Sequence, residues 1–383
     1  MVLSPPARLP VTVVTGFLGA GKTTLLRHLL LHSGQRLAVI VNEFGDVGID
    51  GDLLARCGFC PEEEQQDRLV ELTNGCLCCT VQDDFLPTME RLLERADRLD
   101  GLVVETSGLA LPEPLVAAFQ WPAVRTRTRV HAVVTVVDGE ALAAGHVVGD
   151  AAAVERQRQA DPSLEHLSSL ETLFAEQLEV ADLVAVSRAD LLEPAALEAV
   201  MASLGDKVRS GTPVVPMARG TLPVTLLLGD PAHDPVRDLS GQELEERETP
   251  LSHDPDHDPD HEHEHEHSHV AMEALVIRRW GSLGRQEVES ALRELLRQQP
   301  VLRLKGRLHE PGKRLALQLQ AVGPRLDGWY EGPSRQDGSS PALELVVLVP
   351  AGRQEVVRLA CESLWPGAPQ TPPEGFCIND SAA

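Results

Sequence analysis

The 383-residue chain has very few aromatic side chains: one Tyr, four Trp and seven Phe, or 3 %. With 43 % apolar residues its cores must be built from aliphatic side chains. Positive charge is also scarce. Thirty-four Lys and Arg face 58 Asp and Glu, for a formal net charge of −24. That balance excludes a general nucleic-acid binder, which needs Lys and Arg against phosphate, and an anionic membrane surface as partner, but it suits cations as cargo. No apolar run approaches the ~18 residues that span a bilayer. The opening "MVLSPPARLPVTVV" has one Arg, prolines and an early strand-like run, unlike a secretory leader. The expectation is a soluble, cytoplasmic protein. Also missing is the even, scattered cysteine set of a secreted disulfide framework. There are seven cysteines, and three of them fall within four positions, at Cys76, Cys78 and Cys79.

Residues 1–228 alternate short apolar β-rich runs with helical stretches. The runs are "VTVVTG", "LAVIVNE", "LVEL", "GLVVETS", "HAVVTVVD" and "DLVAVS", and between them lie "KTTLLRHLLLHS", "DDFLPTMERLLERAD", "LPEPLVAAFQ" and "SLETLFAEQLEVA". Near-continuous apolar strands separated by helices imply a buried, mostly parallel sheet in an α/β architecture. Residues 229–271 are rich in Pro, Asp, Glu and His and read as a flexible acidic linker. Residues 272–365 have strand- and helix-like segments in the order expected of a small α+β domain. Residues 366–383 read as a disordered tail.

"TGFLGAGKTT" carries Gly16-Phe-Leu-Gly19-Ala20-Gly21-Lys22-Thr23, followed by Thr24. It matches G-x-x-x-x-G-K-[ST] in the strand-then-helix context that the motif requires. The glycines let backbone N–H groups approach phosphate. Lys22 can reach the β- and γ-phosphates, and the Thr23 hydroxyl can ligate Mg²⁺. The apolar strand "GLVVETSG" delivers Glu105, a carboxylate placed to hold Mg²⁺ or orient the attacking water. "LVAVSRADLL" puts Ser187 and Asp190 at a strand end, where a carboxylate can accept from guanine N1–H and N2–H₂ and would repel adenine N1. Arg188 offers a flat stem beside the base.

Together "TGFLGAGKTTLLRHLL", "VNEFGDVGID", "ELTNGCLCCTV", "ETSGLALPEPL" and "VLRLKGRL" resemble the CobW-type GTPase family, whose members are metallochaperones for zinc or cobalt. The resemblance implies a P-loop GTPase domain of the metal-accessory class, a CobW C-terminal domain, and a metal site at Cys76, Cys78 and Cys79. The base motif Ser187-Arg188-Ala189-Asp190 departs from the usual Asn-Lys-x-Asp, and an additional Cys57-Gly-Phe-Cys60 pair is present, its role open. Thiolates bind Zn²⁺ tetrahedrally, and three of them leave one position for water, a client ligand, or a carboxylate such as Glu43 or Asp46. Co²⁺ suits the same donors. Residues 253–269 hold seven His and seven carboxylates, a tract able to bind several ions loosely.

The expected function is therefore a GTPase that binds Co²⁺ or Zn²⁺ at a thiolate site and releases it to a client on hydrolysis. Catalytic candidates are Lys22 and Glu105, with Glu43 and Asp46 as further candidates toward Mg²⁺. The client is expected to be a metal-receiving protein, by the resemblance a cobalt-inserting enzyme of the corrin pathway, and a nucleotide-dependent homodimer is compatible. Three alternatives are a passive metal store or sensor using the His tract, a nickel-insertion accessory GTPase, and an ATP-dependent small-molecule kinase, which leaves the thiols unexplained.

Overall fold

The computed structural model describes residues 8–41, 69–71, 85–160, 169–229, 270–334 and 341–371. In chain order the first unit runs β1 (Leu9–Thr15), α1 (Lys22–His32), β2 (Leu37–Val41), β3 (Leu69–Glu71), α2 (Leu86–Leu93), β4 (Gly101–Glu105), α3 (Pro112–Ala118), α4 (Pro122–Arg125) and β5 (Thr128–Asp138). It continues with α5 (Gly139–Ala143), α6 (Ala151–Ala160), α7 (Leu170–Glu179), β6 (Leu183–Ser187), α8 (Pro194–Gly205), β7 (Val214–Pro216) and α9 (Val224–Leu227). The six strand-like runs all appear as strands. The seventh, β7, is only three residues, preceded by Pro213 and ending in Pro216, too short to stand out in the sequence.

These strands form one parallel sheet in the order β3-β2-β4-β1-β5-β6-β7. Every residue of β1, β2, β4, β5 and β6 is buried, as expected for strands with helices on both faces. On one face α1 inserts Leu25, Leu26 and Leu29, all fully buried, against Val14, Val39 and Val134. On the other, Met89, Leu92 and Leu93 of α2 pack with Phe119 against Val11, Val13 and Ile40. Burying each such side chain contributes about 1.5–3 kcal/mol. The chain lays β2–β4 to one side of β1 and β5–β7 to the other. The crevice at the C-terminal end of β1 is thus a topological switch point, where open α/β sheets bind ligands.

The second unit comprises β8 (Met272–Arg279), α10 (Arg285–Gln298), β9 (Arg303–Leu308), β10 (Leu315–Val322), β11 (Arg325–Pro333), β12 (Leu343–Pro350) and α11 (Gln354–Ser363). Its five strands form an antiparallel sheet, β11-β10-β9-β12-β8. Burial alternates along β12, so one face is covered. The cover is α10 and α11, through Val288, Leu292, Leu295, Val357 and Cys361. Cys361 is a core residue, its thiol pushed up to about 11 by burial. Beyond α11 the Pro369 carbonyl accepts from the Trp280 N–H at 2.9 Å.

The two units share a packed boundary. Leu302 and Val322 of the second enter the α1-side core of the first. Asp182, fully buried, accepts from the Val133 N–H and from Arg209, each at 2.8 Å, and from Arg325 of β11. Arg129 of β5 donates to Gln320 Oε1 at 3.2 Å and lies 4.1 Å over the Trp329 ring. Gly211 approaches so closely that a Cβ there would lie 2.0 Å from the Leu296 carbonyl oxygen.

His131 sits inside this boundary, 4 % exposed, its Nε2 without a hydrogen-bond partner among the described residues. Burial first, then Arg303, Arg129, Lys305 and Arg325, hold its pKa well below the usual imidazole value. The native ring is therefore neutral, while the unfolded chain takes up a proton near pH ~6.5. A depressed histidine costs no stability above that pH and progressively more below it, until the native pKa is reached. We expect wild-type stability to fall, relative to His131→Gln, by about 1 kcal/mol between pH 7 and pH 5.5, the size set by one linked proton. Thermal or urea unfolding across that range checks it. Parallel pH profiles for the two proteins would show that His131 stays protonatable in the fold.

Candidate nucleotide-binding site

A cavity of about 520 Å³ opens at the switch point. Its floor is the loop between β1 and α1. Gly16 adopts φ 132°, and a Cβ there would lie 2.1 Å from the Val136 carbonyl oxygen, so the loop can leave β1 against β5 only with glycine. Helix α1 starts at Lys22 with no side-chain cap and no acidic residue in its first turn. No side chain of its own competes there with an anion, which the helix field favours.

Lys22 is 6 % exposed. Its Nζ donates to the Phe17 carbonyl at 3.2 Å and lies 3.7 Å from Glu105 Oε1. Glu105 ends β4, the strand beside β1, and its neighbour in register on the other side is Val41 at the end of β2. The loop after β4 packs onto the phosphate loop. A Cβ on Gly108 would lie 2.5 Å from the Leu18 backbone nitrogen. Thr106 Oγ1 donates to Thr15 Oγ1 at 2.9 Å, and Gln177 Nε2 donates to the Gly108 carbonyl at 3.3 Å. These contacts hold Glu105, Thr106 and Ser107 against the loop that carries Lys22.

The far end of the cavity is built from the ends of β6 and β7. Ser187 is 4 % exposed, and its Oγ has no hydrogen-bond partner among the described residues. Arg188 takes a left-handed backbone conformation, φ 54°. Its guanidinium pairs with Asp138 and donates to the Gly19 carbonyl at 3.2 Å, tying the β6 end to the phosphate loop. Asp190 lies 3.8 Å from Arg219, whose side chain is 81 % exposed, a pairing weak enough for a ligand to displace.

The structure therefore brings Gly19, Ala20, Gly21, Lys22, Thr23, Thr24, Glu105, Ser187 and Asp190 to one cavity, with Gly16 at the start of its loop. Cys76, Cys78, Cys79, Glu43 and Asp46 lie outside the described residues, as do Cys57, Cys60 and the 253–269 tract. Among the described residues no three His, Cys, Asp or Glu gather as a metal site. Thr23 and Glu105 line the same cavity, and their hydroxyl and carboxylate are hard oxygen donors of the kind that Mg²⁺ takes. Sequence reasoning missed Ser107, Gln157, Met217 and Arg219 as lining residues. Ser107 stood inside the quoted "ETSG"; the other three had no motif.

The family model described as CobW/HypB/UreG, nucleotide-binding domain, matches residues 10–216, and that of the cobalamin synthesis protein cobW C-terminal domain matches residues 272–359. The chain belongs to the CobW family. It is 48 % identical over 332 residues to the zinc chaperone CobW of Pseudomonas aeruginosa, covering 85 % of this chain and 83 % of that protein. It is 41 % identical over 328 residues to the zinc chaperone CobW of a Sinorhizobium species, covering 85 % and 88 %. A shorter match, 41 % over 114 residues, is to the zinc chaperone YjiA of Escherichia coli, covering 28 % of this chain and 33 % of that one. Membership in the CobW family accounts for both units, the parallel sheet with its phosphate loop and the antiparallel sheet that follows it. Among the described residues no helix is long and apolar enough to cross a membrane.

Proposed function

We propose that this CobW-family chain is a GTP-hydrolysing metallochaperone that loads a divalent metal on Cys76, Cys78 and Cys79 and passes it to a client protein. The observation that carries the nucleotide half is the Lys22–Glu105 pair, buried at 3.7 Å where the phosphate loop meets the β4 end, inside the cavity that Asp190 closes at its other side. Two relatives that match most of the chain are both named zinc chaperones, and this supports Zn²⁺ over Co²⁺ as cargo. The corrin-pathway client and the nucleotide-dependent homodimer remain further proposals. So does the division into 1–228, 229–271, 272–365 and 366–383, with the acidic His tract as an auxiliary metal reservoir.

In this reading the α1 N-terminus and Lys22 hold the β- and γ-phosphates, and Thr23 and Glu105 hold Mg²⁺, with Glu43 and Asp46 as candidates beside them. Mg²⁺ would supply charge neutralisation of the phosphates. Asp190 accepts from the guanine N1–H and N2–H₂, with the Arg188 stem alongside.

The test begins with nucleotide choice. The wild-type chain should bind and turn over GTP in preference to ATP. Asp190→Ala should weaken GTP binding by about 1–3 kcal/mol, the size of a charge-assisted hydrogen bond lost, and leave ATP binding nearly unchanged. Titration with GDP, GTP and ATP analogues measures both. Equal wild-type affinity for the two bases would remove the guanine assignment, and absence of GTP turnover would leave the passive metal store as the better reading.

A further inference from the structure

The base end of the cavity holds a backbone anomaly. Among the described residues only Arg188 and Arg219 have positive φ without being glycine, at 54° and 50°, and both line this end. A long side chain is disfavoured there by its own Cβ. Such outliers gather at ligand clamps, where the surrounding structure holds them in place. The Arg188 guanidinium is engaged, pairing with Asp138 and donating to the Gly19 carbonyl. The Arg219 side chain is mostly exposed and makes no hydrogen bond among the described residues. Its Nε lies 3.8 Å from Asp190 Oδ2, beyond hydrogen-bond distance, so donors and acceptors are both still open to a ligand.

The turn that carries Arg219 is fixed on both sides. The Thr221 N–H donates to the Ala218 carbonyl at 2.8 Å, closing a tight turn with Arg219 and Gly220 at its centre, both at positive φ. Central residues of that kind are normally Asn, Asp or Gly. A Cβ on Gly220 would lie 2.4 Å from Thr24 Cγ2, so the turn rests on α1 just beyond the phosphate loop. Before the turn, Met217 donates its N–H to the Val186 carbonyl at 2.8 Å and accepts from the Ala189 N–H at 3.3 Å. Asp190 is the next residue after Ala189. One set of backbone bonds therefore holds Asp190 and Arg219 side by side on the cavity wall.

An acceptor pair beside a fork of donors complements one base edge. Guanine offers N2–H₂ and N1–H and then, as the next atom along, the O6 acceptor. With its N–H groups on Asp190, O6 comes beside Asp190's neighbour, and a guanidinium N–H is suited to it. Adenine has the reverse order, an acceptor at N1 and the N6–H₂ donor, so it would meet like with like at both residues. The other side chains at this end do not compete for O6. Ser187 Oγ is buried, Arg188 is engaged, and Leu191 and Met217 are apolar.

We infer that Arg219 donates to guanine O6 and, with Asp190, selects the base. The inference deepens the guanine reading above and rests on it. It also gives a reason for an arginine in a turn that glycine would fill without strain.

The test titrates full-length wild type, Arg219→Ala, Arg219→Lys and Arg219→Gly with four diphosphates: GDP, ADP, inosine diphosphate and 6-thio-GDP. The Ala variant should bind GDP about fivefold to a hundredfold more weakly, the range for one good polar contact to a base edge, and ADP within about threefold of wild type. The Lys variant keeps a charged donor and should recover part of the loss. Wild type should bind 6-thio-GDP, whose sulfur is a poor acceptor, more weakly than GDP, and this gap should close in the Ala variant. The gap between GDP and inosine diphosphate, which lacks the amine facing Asp190, should remain. The Gly variant relaxes the turn, so it should lose GDP affinity as the Ala variant does while its unfolding temperature is no lower than that of wild type; this separates lost recognition from a damaged fold. If wild type prefers GDP to ADP but the Ala variant binds GDP as wild type does, or keeps the 6-thio gap, a backbone N–H or water serves O6 and the inference fails while the guanine reading stands. If GDP and ADP weaken equally, Arg219 acts on the phosphates, and if the inosine gap closes too, it acts through Asp190; either result overturns the inference. If wild type does not distinguish GDP from ADP, the guanine reading itself has failed.

Discussion

Lys22→Ala is expected to lower kcat/KM for GTP by at least ~10²–10³, as for removal of one preorganised donor facing developing charge. The same substitution should also destabilise the nucleotide-free protein, for a reason unrelated to catalysis. Lys22 and Glu105 are each about 6 % exposed and 3.7 Å apart, so loss of the ammonium leaves the carboxylate deep in the cavity without its nearest cation. Breaking a buried pair on one side costs about 3–5 kcal/mol, whereas replacing both partners by neutral groups is often close to neutral. Lys22→Ala combined with Glu105→Gln should therefore recover most of the unfolding free energy while remaining inactive. Denaturant unfolding and single-turnover hydrolysis on the three variants separate the two effects. A double variant no more stable than Lys22→Ala would show that the pair is not what holds the apo pocket together.

What could be read in advance was local. The phosphate loop is a contiguous run in which glycine positions, Lys22 and Thr23 are fixed by spacing alone, and Glu105 and Ser187 announce themselves at the ends of apolar strands. Gln157 could not be found that way. It lies on a polar helix with no motif, and reaches the cavity only because Val154 seats that helix against Phe17, 137 positions earlier in the numbering. Arg219 and Met217 follow β7, a strand too short to have a period. The boundary between the two units was equally hidden. "HAVVTVVD" and "DLVAVS" read as apolar strands, and nothing in them says that His131 will be buried near Arg303, Lys305 and Arg325, or Asp182 against Arg325, residues distant in the sequence whose own strands look like ordinary amphipathic ones. Buried polar groups are legible only with their partners, and here the partners come from the other sheet.

The last expectation concerns the thiols. Strand β3 ends at Glu71, five residues before Cys76, and runs parallel to β2, which ends at Val41 on the rim of the nucleotide cavity in register with Glu105. Both strands run in the same direction, β3 ending five residues before Cys76 and β2 two residues before Glu43. Free thiols titrate near pKa ~8.5, so at neutral pH an unassembled site is mostly protonated and binds metal weakly. On the proposed mechanism, GTP with Mg²⁺ gathers the thiols and a carboxylate, and hydrolysis lets them part. By linkage, the factor by which a GTP analogue tightens Zn²⁺ must equal the factor by which Zn²⁺ tightens the analogue. We expect that coupling to be about 1–3 kcal/mol, or roughly 5- to 150-fold, the usual range for allosteric pairs. Cys78→Ser with Cys79→Ser should abolish it and leave analogue affinity without metal largely intact. Competitive titration of Zn²⁺ and Co²⁺ in the presence of analogue, of GDP and of neither measures both sides of the cycle. Identical Zn²⁺ affinity in all three states would mean that the nucleotide does not govern the metal, and that these cysteines serve structure and not delivery.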